Sequence, residues 1–186
     1  MVPDGVRKQL RLPKLGQLGY VVADMDDAIA YYRNILGIRP WLLLEVRPEP
    51  CIQGGQQIHP TLKIALAYLG PVQVELIQVV EGESLHRDYV QQTGGGLHHL
   101  GFMVRSLEKR LIRCRDMGIG ILQRGTIKDT GVTVDYAYVD TVEQAGTILE
   151  FIQWRVGPVP LPVNRYTFKL ACSIGPKSLL KDRVVR

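Results

Sequence analysis

Hydrophobic positions along the chain follow an order of short apolar runs and helical stripes that occurs twice. In the first half, an apolar run predicts a strand at 17–23, and Asp24 stands where a helix N-cap belongs. Apolar residues at helical spacing predict the helix that follows, and Gly37 supplies its C-terminal stop. Further apolar runs predict three strands, at 40–47, 62–69 and 72–79. The proline- and glycine-rich segment 48–60 is predicted as a loop, and 84–92 as a short helix.

The second half repeats this order. A strand is predicted at 99–105, and Ser106 caps a helix that Gly118 ends. Three strands follow, at 120–125, 132–139 and 147–154. The segment QLGYVV aligns with HLGFMV, and VELIQ aligns with LEFIQ, at an offset that shrinks slowly as gaps fall in loops. This pattern predicts a duplicated module of one strand, one helix and three strands.

The duplication divides the chain into four regions. We predict an N-terminal extension (1–16), a first module with a linker helix (17–93), a second module (94–155) and a basic, proline-containing tail (156–186). The net charge of +5 is concentrated in the two ends, which we expect to be solvated or to contact a sister subunit. The prolines favour an extended arm, whose apolar residues are available to pack on a neighbour: Tyr166, Phe168, Leu170, Leu179 and Leu180. The tail either packs on a second subunit in a homodimer or remains a flexible end.

Composition narrows the class of protein. The chain is 46% hydrophobic but lacks the run of about 18 apolar residues that a membrane span needs. The first residues do not form an apolar signal segment, so we expect a cytoplasmic protein without membrane partners. No basic stripe interleaved with aromatic residues crosses the body, so no nucleic-acid binding is expected. The cysteines, Cys51, Cys114 and Cys172, are odd in number and widely spread, which is typical of reduced structural thiols.

Corresponding positions in the two modules carry polar groups. The first strands begin with Gln17 and His99, and the last strands carry Glu75 and Glu150 between apolar neighbours. Burying such a carboxylate costs several kcal/mol unless it is paired, protonated or bound to a cation. The four residues either lie on an ordinary polar face or converge as ligands, and their matched positions favour convergence. Oxygen donors with one imidazole suit Zn, Ni, Co, Mn or Fe.

Neighbouring strand residues point to opposite faces, so we expect only one histidine of the His98–His99 pair to face the site. The register selects His99, because it aligns with Gln17, and His98 is expected to face the other way. We expect surface positions for Glu45, His59 and His86, and core positions for Tyr136 and Tyr138.

These motifs resemble the vicinal oxygen chelate superfamily, which includes glyoxalase I, methylmalonyl-CoA epimerase, extradiol dioxygenases and antibiotic-resistance proteins. The resemblance covers about residues 15–155, through QLGYVVADMDDAIAYYRNILGI, VQVELIQ, GGGLHHLGFMV and GTILEFIQ. It implies an α+β fold in which two tandem βαβββ modules form a curved, open, barrel-like mixed sheet around a metal site. It also implies that one divalent ion (Zn, Ni, Co or Mn) is bound by Gln17, Glu75, His99 and Glu150.

The same resemblance implies a metal-dependent isomerase, epimerase or lyase that acts through an enolate on a small carbonyl or CoA-thioester substrate. Glu150 is then the expected base, with Glu75 as its partner. An activity like that of methylmalonyl-CoA epimerase is the first expectation. The alternatives are a lactoylglutathione lyase of the glyoxalase I type and a non-catalytic ligand- or drug-binding protein of the same fold.

Several positions depart from the patterns of these relatives. Epimerases of this superfamily carry histidine and glutamine where this chain has Gln17 and Glu75, and their third-strand glutamate falls near Lys63. The arginine and asparagine with which glyoxalase I holds glutathione fall on Val21 and Val79. The resemblance therefore predicts the reaction chemistry more narrowly than the substrate.

Overall fold

The computed structural model describes residues 6–129, 131–168 and 184–185. The helices are α1 (Val6–Gln9), α2 (Met25–Leu36), α3 (Leu85–Thr93), α4 (Leu107–Asp116) and α5 (Val142–Ala145). The strands are β1 (Gln17–Val21), β2 (Trp41–Val46), β3 (Cys51–Gln53), β4 (Gln56–Gln57), β5 (Thr61–Leu69), β6 (Val72–Glu81), β7 (Gly96–Met103), β8 (Ile121–Asp129), β9 (Val132–Val139), β10 (Ile148–Val156), β11 (Val159–Pro160) and β12 (Val184–Val185). No helix in these ranges is long and apolar enough to cross a bilayer.

Local sequence signals set the ends of the two long helices. The Asp24 side chain accepts a hydrogen bond from the Asp27 backbone N–H at 2.9 Å, and Gly37 ends α2 in the left-handed conformation at φ 66°. In the second module, Ser106 caps α4 through the Lys109 N–H. Each helix therefore begins directly after the first strand of its module, as the sequence predicts.

The strands form one curved mixed sheet in the order β12-β2-β5-β6-β1-β7-β10-β9-β8-β3-β4, with β11 added beside β10. The first strands, β1 and β7, pair antiparallel in the middle and join the two modules. Each first strand pairs in parallel with the last strand of its own module, β1 with β6 and β7 with β10. The βαβββ duplication predicted from the sequence is confirmed, and it places β6, β1, β7 and β10 side by side.

Each module packs its long helix against one face of the sheet. Residues of α2 such as Ile29 pack with Ala65 and Leu76, and residues of α4 such as Leu111 pack with Phe151. On the opposite, concave face a third apolar cluster fills part of the hollow beside the first module. The concave face is the one that also carries the candidate site.

Segment 48–60, predicted as a loop, contains the hairpin of β3 and β4. Gly54 and Gly55 occupy the turn with φ of 55° and 84°, which glycine adopts readily. Strand β3 then pairs with β8 of the second module. The loop prediction was wrong because breakers mark the turn of a hairpin as well as an irregular segment.

The described parts of the two ends pack on the body of the protein, whereas we expected the ends to be solvated or to contact a sister subunit. Leu10, which follows α1, is fully buried in the core under α4, and Phe168 of the tail is buried on the concave face. Tyr166 is 67% exposed. Several tail residues of the sequence analysis lie outside the described residues: Leu170, Cys172, Leu179 and Leu180. The homodimer stays a prediction.

Candidate metal centre

The strand register brings the four predicted ligands onto one patch of the concave face. Gly19 of β1 lies between Glu75 of β6 and His99 of β7. Gly101 of β7 lies between Gln17 and Glu150 in the same way. Because residues directly opposite each other share a face of the sheet, the four polar side chains surround two glycines.

The side-chain atoms of this cluster lie within bonding reach of one small ion. His99 Nε2 is 3.1 Å from a Glu150 carboxylate oxygen and 3.4 Å from one of Glu75. One donor atom from each of these three residues lies within 4.8 Å of the others. All three are buried, and Gln17 is only 2% exposed. We call Gln17, Glu75, His99 and Glu150 the donor cluster.

The two glycines leave the space that the donor side chains occupy. A Cβ atom added at Gly19 would lie 1.9 Å from Cε1 of His99, and one added at Gly101 would lie 2.6 Å from Oε1 of Gln17. Such contacts are far inside van der Waals distance. Both glycines are therefore part of the cluster's construction.

Burial and charge act together on the titratable groups. Burial alone would lower the pKa of His99, but the adjacent carboxylates, Glu150 first, raise it to about 9. Burial raises the pKa of Glu75, against the opposing effect of His99. When protonated, His99 pairs with the two carboxylates at 3.1 and 3.4 Å, and a divalent cation would take the place of that proton.

Three buried ligand atoms of the cluster have no hydrogen-bond partner among the described residues: Gln17 Oε1, His99 Nε2 and Glu150 Oε2. The Gln17 amide is oriented by its Nε2, which donates to Gln73 Oε1 at 2.9 Å and leaves Oε1 free for another contact. His99 Nε2 is close to both carboxylates, but not at hydrogen-bonding angles. Leaving buried polar atoms without a partner is energetically costly. Two carboxylates, an amide oxygen and an imidazole are ligands that suit a divalent metal. The residues fit the predicted ion.

His98 does not face away from the site, so that prediction was wrong. The β1–β7 register shifts between Gly19, which pairs with His99, and Tyr20, which pairs with Leu97. His98 is the extra residue of this irregularity and escapes strict alternation. It is 4% exposed, and its Nδ1 lies 3.1 Å from Nδ1 of His99.

A shell of rings surrounds the two histidines, and sequence reasoning missed most of it. His86, expected at the surface, is 1% exposed, with its ring 5.0 Å from that of His98. Tyr138 is buried as expected, but its ring lies 4.9 Å from that of His99. The ring of Tyr89 contacts His98 at 4.9 Å. Tyr138 belongs to the bulky residues of β9 that alternate with Thr133, Asp135 and Ala137, a signal for one face of the sheet but not for contact with a ligand.

The remaining candidates lie away from the donor cluster. Glu45 is exposed, and so is His59, whose ring pairs with Glu49 at 3.8 Å. Lys63 lies opposite Glu45, one residue from inward-facing Leu62 and Ile64. No acid is therefore present at the inward positions of this stretch.

Comparison with known proteins agrees with this architecture. A family model described as Glyoxalase/Bleomycin resistance protein/Dioxygenase superfamily matches residues 16–138. The chain belongs to this superfamily. The vicinal oxygen chelate resemblance is thereby confirmed, and the superfamily contains many enzymes.

Individual relatives of this superfamily member are distant. The chain is 27% identical over 111 residues to the uncharacterized protein YqjC of Bacillus subtilis (strain 168), covering 60% of this chain and 71% of that protein. Among solved structures, hypothetical protein BH1468 from Bacillus halodurans C-125 matches with a TM-score of 0.55 and 24% identity, over 75% of this chain and 92% of that one. Methylmalonyl-CoA epimerase from Mycobacterium tuberculosis matches with a TM-score of 0.54 and 23% identity, over 76% and 87%. At these identities the structural matches support the fold alone.

Proposed function

We propose that this protein is a metal-dependent enzyme that removes and returns a proton at the carbon next to the carbonyl group of a CoA thioester, as an epimerase or isomerase. The observation that carries the proposal is the convergence of Glu75, His99 and Glu150, which are all buried and each place one ligand atom within 4.8 Å of the others. Burying two carboxylates side by side is costly unless they are paired, protonated or bound to a cation.

The donor cluster would hold one divalent cation, which when bound stabilises the negative charge that develops on a carbonyl oxygen. The chain's own carboxylates move the proton. We assign the base to Glu150 and the partner to Glu75. Burial of the whole cluster excludes water from the reacting carbon.

The arrangement of the two carboxylates suits exchange of a proton between two faces. Glu75 and Glu150 approach His99 Nε2 from β6 and β10, which lie on opposite sides of the β1–β7 pair. A substrate carbon between them would lose its proton to one carboxylate and regain a proton from the other. That sequence inverts the configuration of the carbon.

Two apolar positions argue against a glutathione adduct. Val21 is fully buried and Val79 is packed against the apolar cluster of the concave face, so neither position offers a charged or polar group to a glutathione carboxylate. Further support for the thioester class comes from a ligand bound to a structural neighbour. This neighbour is a Streptomyces coelicolor methylmalonyl-CoA epimerase in complex with 2-nitronate-propionyl-CoA.

Deuterium uptake from D₂O tests the function. Protein loaded with Co²⁺, Ni²⁺, Zn²⁺ or Mn²⁺ is incubated with methylmalonyl-CoA and with a panel of acyl-CoA thioesters and hemithioacetals, and exchange is followed by mass spectrometry. We expect exchange with a thioester, and Glu150→Gln should reduce it at least 100-fold, the scale of a lost general base. Glu45→Gln, at an exposed carboxylate, is the matched control.

Each part of the proposal has its own contrary result. Full exchange by Glu150→Gln would remove Glu150 from the role of base. Absence of bound metal after loading, together with no exchange on any member of the panel, would contradict the enzyme and favour a ligand-binding protein.

A further inference from the structure

The concave face continues from the donor cluster into a wall without charge. Leu66 of β5 lies directly opposite Glu75, and Ile64 lies opposite Ile77 of β6. These side chains and Leu62 are buried together in one cluster, at 1–6% exposure. We call Leu62, Ile64, Leu66 and Ile77 the apolar wall. Any group bound beside Glu75 on this side meets hydrocarbon.

Phe168 covers the apolar wall. It belongs to the same buried cluster and is 7% exposed, although it comes from the tail beyond the second module. Its ring lies 5.2 Å from that of Tyr68, which is opposite Gln73 in the β5–β6 register. Gln73 in turn accepts the hydrogen bond from Gln17. The Phe168 ring therefore lies over the part of the hollow that adjoins the donor cluster.

The described part of the segment that carries Phe168 runs from β11 into one helical turn. Leu161 N–H donates to the Trp154 carbonyl at 2.8 Å, where β11 ends beside β10. Asn164 then caps a single helical turn at 165–168, accepting from the N–H groups of Tyr166 and Thr167. Phe168 is the buried side chain of this turn, and the three residues before it are exposed. Among the described residues of this turn, burial is therefore confined to Phe168.

We propose that the apolar wall binds the hydrocarbon part of the substrate's acyl group and that Phe168 occupies this place as a displaceable plug. This assignment rests on the proposed function, since it places the reacting carbon between Glu75 and Glu150. The substrate class is an acyl thioester with an aromatic or branched aliphatic acyl group about as large as a benzyl side chain. A carboxylated acyl group finds no cation on the apolar wall.

The inward positions of β5 support an apolar group over an acidic one. In the antiparallel ladder, Leu62 and Ile64 lie opposite Val79 and Ile77, and both belong to the apolar cluster. Lys63 alternates to the other face with Ala65, which packs under α2. The basic side chain is therefore directed away from the hollow.

Equilibrium binding to the full-length protein tests the proposal, with phenylacetyl-CoA as the apolar probe and acetyl-CoA as its short counterpart. Removing the plug with Phe168→Ala should tighten phenylacetyl-CoA binding at least tenfold in isothermal titration calorimetry and change acetyl-CoA binding less than threefold. Tyr166→Ala, an equal truncation of an exposed ring two residues earlier, should behave as the unmodified protein. Leu66→Trp, which fills the apolar wall, should abolish the tenfold gain when combined with Phe168→Ala.

Trypsin cleavage after Arg165 gives a second readout that needs no variant. Saturating phenylacetyl-CoA should displace Phe168 and accelerate this cleavage, whereas acetyl-CoA should not. Unchanged cleavage under saturation, or a lower melting temperature of Phe168→Ala without tighter binding, would make Phe168 an ordinary core residue and overturn the proposal. Binding is measured without turnover, so the two proposals can fail separately. Tight phenylacetyl-CoA binding without proton exchange would contradict only the proposed enzymatic function. Proton exchange on other thioesters without tight phenylacetyl-CoA binding would contradict only the proposed role of Phe168.

Discussion

At the scale of single residues, the donor cluster depends on glycines without a Cβ atom as much as on its ligand atoms. Gly19 has no Cβ, and the imidazole of His99 occupies the space that a Cβ would take. A substitution at this position therefore displaces the His99 ring without replacing any residue of the donor cluster. The effect separates the geometry of the donor cluster from its chemistry.

Gly19→Ala is expected to weaken metal binding at least tenfold, because a Cβ at 1.9 Å from Cε1 of His99 forces that ring out of the cluster. Metal affinity is measured by competition with a chromophoric chelator. Gly120→Ala is the matched control, since an added Cβ there meets nothing within 4 Å. Equal affinity in both variants would show that His99 is not a ligand.

His86 gives the protein an acid-sensitive stability. Burial, together with the nearby His98 and His99, lowers its pKa well below the ordinary value of 6.5. The folded state therefore keeps His86 neutral while the unfolded chain takes up a proton below pH 6.5, so stability falls as the pH falls. Each such histidine contributes about 1.4 kcal/mol per pH unit below that value. Burial lowers the pKa of His98 to about 3, which acts in the same direction.

His86→Phe should reduce this loss of stability without abolishing it, because His98 remains. The substitution removes Nε2, a buried atom without a partner among the described residues, but it also removes the 3.0 Å hydrogen bond between His86 Nδ1 and Ser84 Oγ, so we expect a loss of about 1 kcal/mol at neutral pH. Urea denaturation of chelator-treated protein at pH 5 and pH 7.5 measures the effect. An unchanged difference between the two pH values would mean that His86 is not neutral in the folded state.

At the scale of elements, the N-terminal extension contributes to the core of the second module. Leu10 is fully buried against the α4 cluster, and Arg110 of α4 donates to its carbonyl at 2.8 Å. Leu10→Ala should lower the free energy of unfolding by about 2–5 kcal/mol, the cost of emptying a core site. Leu15→Ala, at 38% exposure, is the control, and chemical denaturation compares the two. Similar small losses would assign Leu10 to the surface.

Elements with their own periodicity could be predicted from sequence, and those that depend on distant partners could not. Asp24, Gly37 and Ser106 marked helix ends because caps are local chemistry. The irregularity at His98 depends on pairing with β1, a strand about half the chain away, and no local signal reveals it. The β3–β4 hairpin likewise depends on β8 for a partner.

At the scale of the whole molecule, the repeat predicted the architecture and the location of the donor cluster together. A duplicated strand order places Gln17 beside His99 only if the first strands of both modules pair, and β1 and β7 do so. Burial of His86 and Phe168 could not be predicted in this way, because the elements that carry them lie outside the repeated unit. Composition alone places a basic tail in solvent.

The meeting of β1 and β7 within one polypeptide has an evolutionary consequence. If two separate copies of a module formed the donor cluster, symmetry would require identical ligand residues on both sides, and dilution would dissociate the two copies. Fusion of the modules removes both constraints. Gln17 and His99 can differ while the two glutamates stay matched, and both halves of the donor cluster belong to one polypeptide.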